Sequence, residues 1–295
     1  MAGISSLPLI ALSRLAWRNL WRNHRRTLIM LLAISVGVWA MIFMTALMRG
    51  MVDQMIEDGI NALPGHVQIH HPAYHEDPSI ENSIAQPEPG LLAALQNPPV
   101  SAWTSRVRVP AMISSERDSR GVTLLGVDPA GEIALGFDPA SIVEGRFLDG
   151  TDDKGLVIGR KLLERLETNL GKRVVVMSQD PDNNIADRGF RIVGVYKGKL
   201  AALEEGFIYA GRSTIQSLLK LDGEVSEIAV IGQDYRDVEP LKQWVRNAVS
   251  GNVAVQTWME LDSYLGLMLG VMDGFVLVWV IVIFLALSFG LVNTL

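Results

Sequence analysis

Cysteine is absent from the 295-residue sequence. That excludes a disulfide scaffold, a thiol nucleophile and a cysteine-ligated metal centre. The first 49 residues also lack aspartate, glutamate and lysine, yet they hold six arginines. The remainder carries 20 basic and 32 acidic side chains, a balance of −12 within a net charge of −6. An acidic body of this kind is no footprint for nucleic acid. The basic start fits the anionic cytoplasmic face of a membrane. Catalytic signatures are missing too: no H-E-x-x-H, no Ser–His–Asp order, no paired-carboxylate motif. The turn at Gly159 has neither G-x-G-x-x-G nor a G-K-[ST] ending, so it is no phosphate cradle. The chain reads as a non-enzyme with no cofactor and no metal of its own.

What is present is two long runs without charge. From Thr27 to Met48 no side chain is charged. As a helix that stretch rises roughly 33 Å, enough to cross a hydrocarbon core of about 30 Å. Arg14, Arg18, Arg22, Arg25 and Arg26 precede it, and Asp53, Glu57 and Asp58 follow. This bias sets the N-terminus in the cytoplasm and the following residues outside. The run is longer than the apolar core of a cleaved signal peptide and reads as an uncleaved anchor. A second charge-free run, Gly274 to Leu295, contains Trp279, Phe284 and Phe289 and returns the chain inward. The expected fold is therefore a membrane protein of α+β class. Two transmembrane helices flank a large mixed α/β extracytoplasmic domain. Residues 1–26 form a cytoplasmic amphipathic helix, 27–61 the first transmembrane helix with an outward extension, 62–258 the outer domain and 259–295 the second transmembrane helix.

Met41, Met44, Met48, Met51 and Met55 recur every three or four residues, one stripe on a helix that Asn61-Ala62-Leu63-Pro64-Gly65 ends. Methionine is flexible and polarisable, and the stripe reads either as a packing seam or as a lipid-contacting surface. Gly266, Gly270 and Gly274 form a strip of small residues that lets a neighbouring helix approach closely, beside Met268, Leu269 and Met272. Four of the five histidines, His66, His70, His71 and His75, fall within one proline-broken segment, which makes a poor metal sphere. Between the runs, strands and helices alternate. Strands are expected at 67–70, 103–114, 122–127, 155–158, 173–177, 190–196, 207–209, 227–231 and 253–257. Helices are expected at 88–96, 159–170, 213–220 and 238–249, with turns at Asp128–Gly131 and a polar loop from Gln179 to Arg188.

Several stretches together resemble one family. LAWRNLWRNHRRTLIMLLAISVGV, VEGRFLDG with GLVIGRKLLERL and LGKRVVV, FRIVGVY followed by GFIYAGRSTIQSLL, and WMELDSYLGLML running into LALSFGLVNTL are similar to ABC-transporter permeases of the macrolide-exporter and lipoprotein-releasing superfamily. GHVQIHHPAYHEDPSIENSI with LLGVDP looks more like the lipoprotein-releasing branch. The resemblance implies an outer domain of two subdomains: β-α-β units from 62–115 and 222–258, and a β-rich part, 116–221, inserted between them. It implies a bacterial inner-membrane protein with its central domain in the periplasm. The partners it implies are a cytoplasmic ABC ATPase that binds ATP and Mg, a second permease copy or paralogue, and the membrane. The cargo would be a lipoprotein or other lipid-anchored or amphipathic molecule, moved by mechanical coupling from the outer face. Met44, Met48, Met51, Met55, Met268, Leu269 and Met272 would meet its acyl chains. The family has four membrane helices, so an end at Leu295 reads as a fragment or as one half of a split permease. Its carrier-recruiting members use a longer, proline-bounded loop than Gln179–Arg188. The rival reading is a membrane sensor or regulator whose outer domain binds a partner.

Overall fold

The computed structural model describes residues 24–62, 64–198 and 201–292. The chain divides into two units: the described parts of Met1–Gln54 and Leu267–Leu295, and the segment Met55–Gly266. The amphipathic helix expected before residue 24 lies outside the described residues.

The first unit is helical. Helix α1 (His24–Ala62) carries an apolar stretch, Thr27–Ile60, long and apolar enough to cross a membrane, with a mean hydropathy of 2.4. No proline interrupts it, and the turns around Pro64 and Gly65 follow its end. The other helix of this unit belongs to a 30-residue element (Ser263–Val292) whose uninterrupted apolar part is the shorter Gly274–Ala286.

The second unit begins with a four-stranded antiparallel sheet. Strands β1 (Val67–His70), β2 (Ala102–Ser114), β9 (Glu227–Ile231) and β10 (Ala254–Thr257) lie in the order β10-β1-β9-β2. Helix α2 (Pro89–Leu95) connects β1 to β2, and α7 (Glu239–Ala248) connects β9 to β10. Each crossover skips one strand, the interleaved β-α-β pattern of ferredoxin-like domains. Side-chain alternation sets the packing. Val67, Ile69, Ile228, Val230 and Val255 face the two helices, which answer with Leu91, Leu95, Leu241 and Val245 in one core. Each such side chain taken out of water contributes about 1.5–3 kcal/mol.

Strand β2 is too long for that sheet. Residues 102–106 pair with β9, whereas 107–114 pair with β3 (Ser119–Val127) and 112–114 also with β6 (Arg173–Gln179). Strands β8 (Phe207–Gly211), β5 (Gly155–Gly159) and β7 (Ile185–Tyr196) complete the circuit β2-β3-β8-β5-β7-β6-β2. The inserted strands therefore close into a six-stranded barrel, with β4 (Ile142–Gly145) added against β7. Closure removes exposed strand edges. Leu124, Leu156, Ile158, Val176, Phe190 and Ile208, each nearly or fully buried, belong to one apolar core. The barrel is filled by its own side chains, as expected at this size. The expected boundary at residue 115 thus falls where β2 has already been in the barrel for several residues.

Local readings are corrected at three places. Asp128–Gly131, expected as a turn, opens helix α3 (Pro129–Leu135): Asp128 caps it by accepting the Ala130 amide at 3.1 Å, and proline takes the first turn. The helix expected over 159–170 is the short α4 (Arg160–Arg165), because Glu167 adopts a left-handed φ of 46° and turns the chain. The polar loop 179–188 tightens to a hairpin between β6 and β7. There Asp180 accepts the amides of Asp182 and Asn184, and Lys220 holds its carboxylate at 2.7 Å. Helix α5 (Ala201–Gly206), not read from sequence, packs so close to Gly159 that a Cβ there would overlap the carbonyl of Glu204. Helix α6 (Arg212–Leu218), α8 (Trp258–Leu261) and α9 (Ser263–Val292) complete the chain.

Candidate functional site

Within the helical unit, α1 and α9 border an apolar groove of about 600 Å³. Met41, Met44 and Met48 line it from α1, and Phe275, Trp279 and Ile283 from α9. The helical repeat puts residues three and four apart on one face, which is why the methionines meet the groove together. Trp39 stacks on Phe43 at 5.6 Å, and Phe275 meets Trp279 edge-on at 6.2 Å. Among the described residues no charged side chain lines the groove, and its polar groups are the Thr45 hydroxyl and the indoles of Trp39 and Trp279. Such a surface offers dispersion contacts and adaptable methionine side chains to hydrocarbon.

The methionine stripe does not stay together. Met51 is 67% exposed and takes no part in the groove, and Met55, 38% exposed, belongs to the other unit and lines a different cavity. The side chains of Met268, Leu269 and Met272 lie outside the described ones. So do Arg14, Arg18 and Arg22 and the side chain of Arg26, while Arg25 is exposed. A Cβ at Gly266 would touch Met259, but at Gly270 and Gly274 it would meet nothing within 4 Å. Among the described residues, then, no helix of this chain packs on the outer two glycines.

In the outer unit three of the four clustered histidines serve local hydrogen bonds. His66 Nδ1 accepts the Gly232 amide at 3.0 Å, and burial lowers its pKa against the opposing pull of Asp234. The His70 ring nitrogens lie 2.8 Å from the His71 carbonyl and 2.8 Å from Gln256 Oε1. His71 Nδ1 accepts the Ala73 amide. Among the described residues no group of three or more His, Asp or Glu side chains is placed to hold a metal ion.

Sequence reading missed a buried ion network where β2 leaves the sheet. Arg106 grips Glu132 of α3 through Nε at 2.6 Å and Nη2 at 2.7 Å, and reaches Glu227 of β9 at 3.4 Å. Arg108 lies 3.6 Å from the other oxygen of Glu227. Arg106, Glu132 and Glu227 are all buried. Burial opposes the charge on Arg106, but the two carboxylates outweigh it and hold the guanidinium protonated. Burial and the nearby Glu132 push the Tyr209 hydroxyl up, so it stays neutral. The sequence signal was two arginines alternating with valines along one strand.

A family model described as the MacB-like periplasmic core domain matches residues 27–248. Among solved structures, the extracellular domain of YknZ, a noncanonic ABC-type transporter from Gram-positive bacteria, is similar at 13% identity and a TM-score of 0.45. That similarity covers 65% of this chain and 99% of that one. The periplasmic region of MacB from Actinobacillus actinomycetemcomitans is similar at 13% identity and a TM-score of 0.46, over 67% of this chain and 91% of that one. A domain of a permease protein from Porphyromonas gingivalis shares 15% identity at a TM-score of 0.36, over 64% and 85%. No curated protein matches the sequence.

Proposed function

The chain belongs to the MacB-like periplasmic core domain family of ABC permeases, and from that premise we propose that it is the permease subunit, or one half of it, of a mechanically coupled ABC transporter. It takes a lipoprotein or other amphipathic cargo from the outer face of a bacterial inner membrane. A separate cytoplasmic ATPase supplies the energy from ATP and Mg, and a second permease copy or paralogue completes the pair. The charge-free run 274–295 forms the second span and brings the chain back to the cytoplasm.

The observation that carries the cargo class is the uncharged groove lined by Met41, Met44, Met48, Phe275 and Trp279. Hydrocarbon gains nothing from the hydrophobic effect on moving from lipid tails into such a groove. It gains contact with a shaped, polarisable wall, which is enough to hold an acyl chain while the helices move. On sequence spacing alone, Met51, Met55, Met268, Leu269 and Met272 are proposed as further cargo-contacting residues, and Gly266, Gly270 and Gly274 as a strip that admits a partner helix.

The test is transport by the permease reconstituted from its native locus with its ATPase. A Met44→Asp, Met48→Asp variant should lose at least about tenfold in transport, since a carboxylate in a dry groove is strongly disfavoured. Its outer unit should keep wild-type unfolding behaviour. Undiminished transport would remove the groove from the mechanism. Co-purification from native membranes separates the rival: an ATPase and a second permease copy support transport, and an outer-face partner without an ATPase supports a sensor.

A further inference from the structure

The four-stranded sheet of the outer unit has a second face, opposite α2 and α7. There β1 presents Gln68 and His70, and the register places Glu227 opposite His70 and Arg106 opposite Glu227. A face buried this well is ordinarily apolar, and buried polar groups are ordinarily paired. All four residues of β1 are buried, yet they alternate apolar and polar.

Most of these polar groups are satisfied. His70 is bonded at both ring nitrogens, and Glu227 lies between Arg106 and Arg108. Glu227 Oε2, however, is buried without a hydrogen bond. Gln68 is 4% exposed. It lines a cavity of about 600 Å³ within the outer unit. Arg108 lines the same cavity. Among the described residues its guanidinium makes one ion pair at 3.6 Å, rests 5.8 Å over the Phe207 ring and donates no hydrogen bond, and its side chain is 33% exposed. Met55, Leu203 and Leu261 give the cavity an apolar wall. Among the described residues Asp262 is the one carboxylate on the lining, and its Oδ1 accepts the Tyr264 amide.

We infer that this cavity is a binding site for the oxyanion head, phosphate or carboxylate, of a small amphiphile. The guanidinium fork of Arg108 matches two oxygens of such a group, a geometry that a lysine would not supply. The Gln68 amide, on the same lining as Arg108, hydrogen-bonds the head from the sheet floor. The apolar wall takes the first carbons of the tail. The site lies wholly within the outer unit and does not depend on the groove between α1 and α9.

The full chain in a non-ionic detergent allows the test. The probes are dihexanoyl phosphatidylglycerol, dihexanoyl phosphatidylcholine and inorganic phosphate, with hydrogen exchange of residues 66–78 as readout. The phosphatidylglycerol should slow exchange there saturably and more strongly than the phosphatidylcholine. Equal protection by inorganic phosphate alone would support the oxyanion site and assign its source to a free anion. Arg108→Met should weaken binding by about tenfold or more, the scale of a charge-assisted hydrogen bond. Gln68→Leu should weaken binding and leave the unfolding temperature close to wild type, because it removes a hydrogen-bonding group from the cavity lining. No protection by any probe, or wild-type binding by Arg108→Met, overturns the inference. So does a Gln68→Leu protein that is destabilised but binds normally, since Gln68 would then be structural.

Discussion

Strand β2 runs through two environments that treat side chains in opposite ways. Beyond residue 107 it is a stave of a closed barrel whose interior is hydrocarbon throughout, with Leu124, Leu156, Phe190 and Ile208 filling it. Before residue 107 it is the outer strand of an open sheet, one face apolar against two helices and the other carrying Gln68, His70, Arg106 and Glu227. A closed barrel of six strands has no room for anything but its own side chains. An open sheet has a second face, and here that face buries charged groups, with Glu227 Oε2 left without a hydrogen bond.

That contrast can be broken most severely at Arg106. Arg106→Met leaves Glu132 and Glu227 as buried carboxylates without their main partner, and should destabilise the outer unit by about 3–5 kcal/mol. Replacing Arg106, Glu132 and Glu227 together by methionine, leucine and leucine should recover much of that loss, because no buried carboxylate is then left without a counter-charge. Denaturant midpoints of the full chain would show it, and a single variant as stable as wild type would mean the network is incidental.

On the barrel side, Leu156→Ala should cost about 2–5 kcal/mol, the transfer and cavity terms of a fully buried leucine. No charged group is exposed by that change, so the loss should be the same from pH 5 to 8. A strongly pH-dependent loss would show that the two environments are not separate.

The smallest effect belongs to His66. Its folded pKa lies below the ordinary 6.5, with burial the leading cause. The native state therefore binds fewer protons than the unfolded chain, and stability rises with pH across that interval. The contribution is present above the unfolded value and is lost as pH falls through the folded one. Thermal unfolding between pH 7.5 and 5 should show a slope that His66→Gln flattens, and an unchanged slope would assign the pH dependence elsewhere.

Much of this was legible in residues. The uncharged run after five arginines gave the long helix α1, and alternation gave β1, β9 and most of β7. The segment 238–249, read as a helix, is α7 (Glu239–Ala248). The family followed from the order of several weak motifs. What stayed hidden had distant causes. Asp128-Pro129 reads as a turn until Glu132, three residues on, is seen to meet Arg106, 26 residues earlier. The stripe of five methionines is a property of one helix, and which of them share a groove depended on where α9 lies.

The amino-acid sequence by itself determined the two hydrophobic runs, the alternation of elements and the absence of thiols, because composition and period are local quantities. Barrel closure, the pairing of Arg106 with Glu132 and Glu227, and the placing of Gln68 and Arg108 on one cavity were decided only by the tertiary structure. Each depends on residues from separate strands and helices meeting, and strand register and helix placement are set by packing across the whole domain rather than by any single stretch.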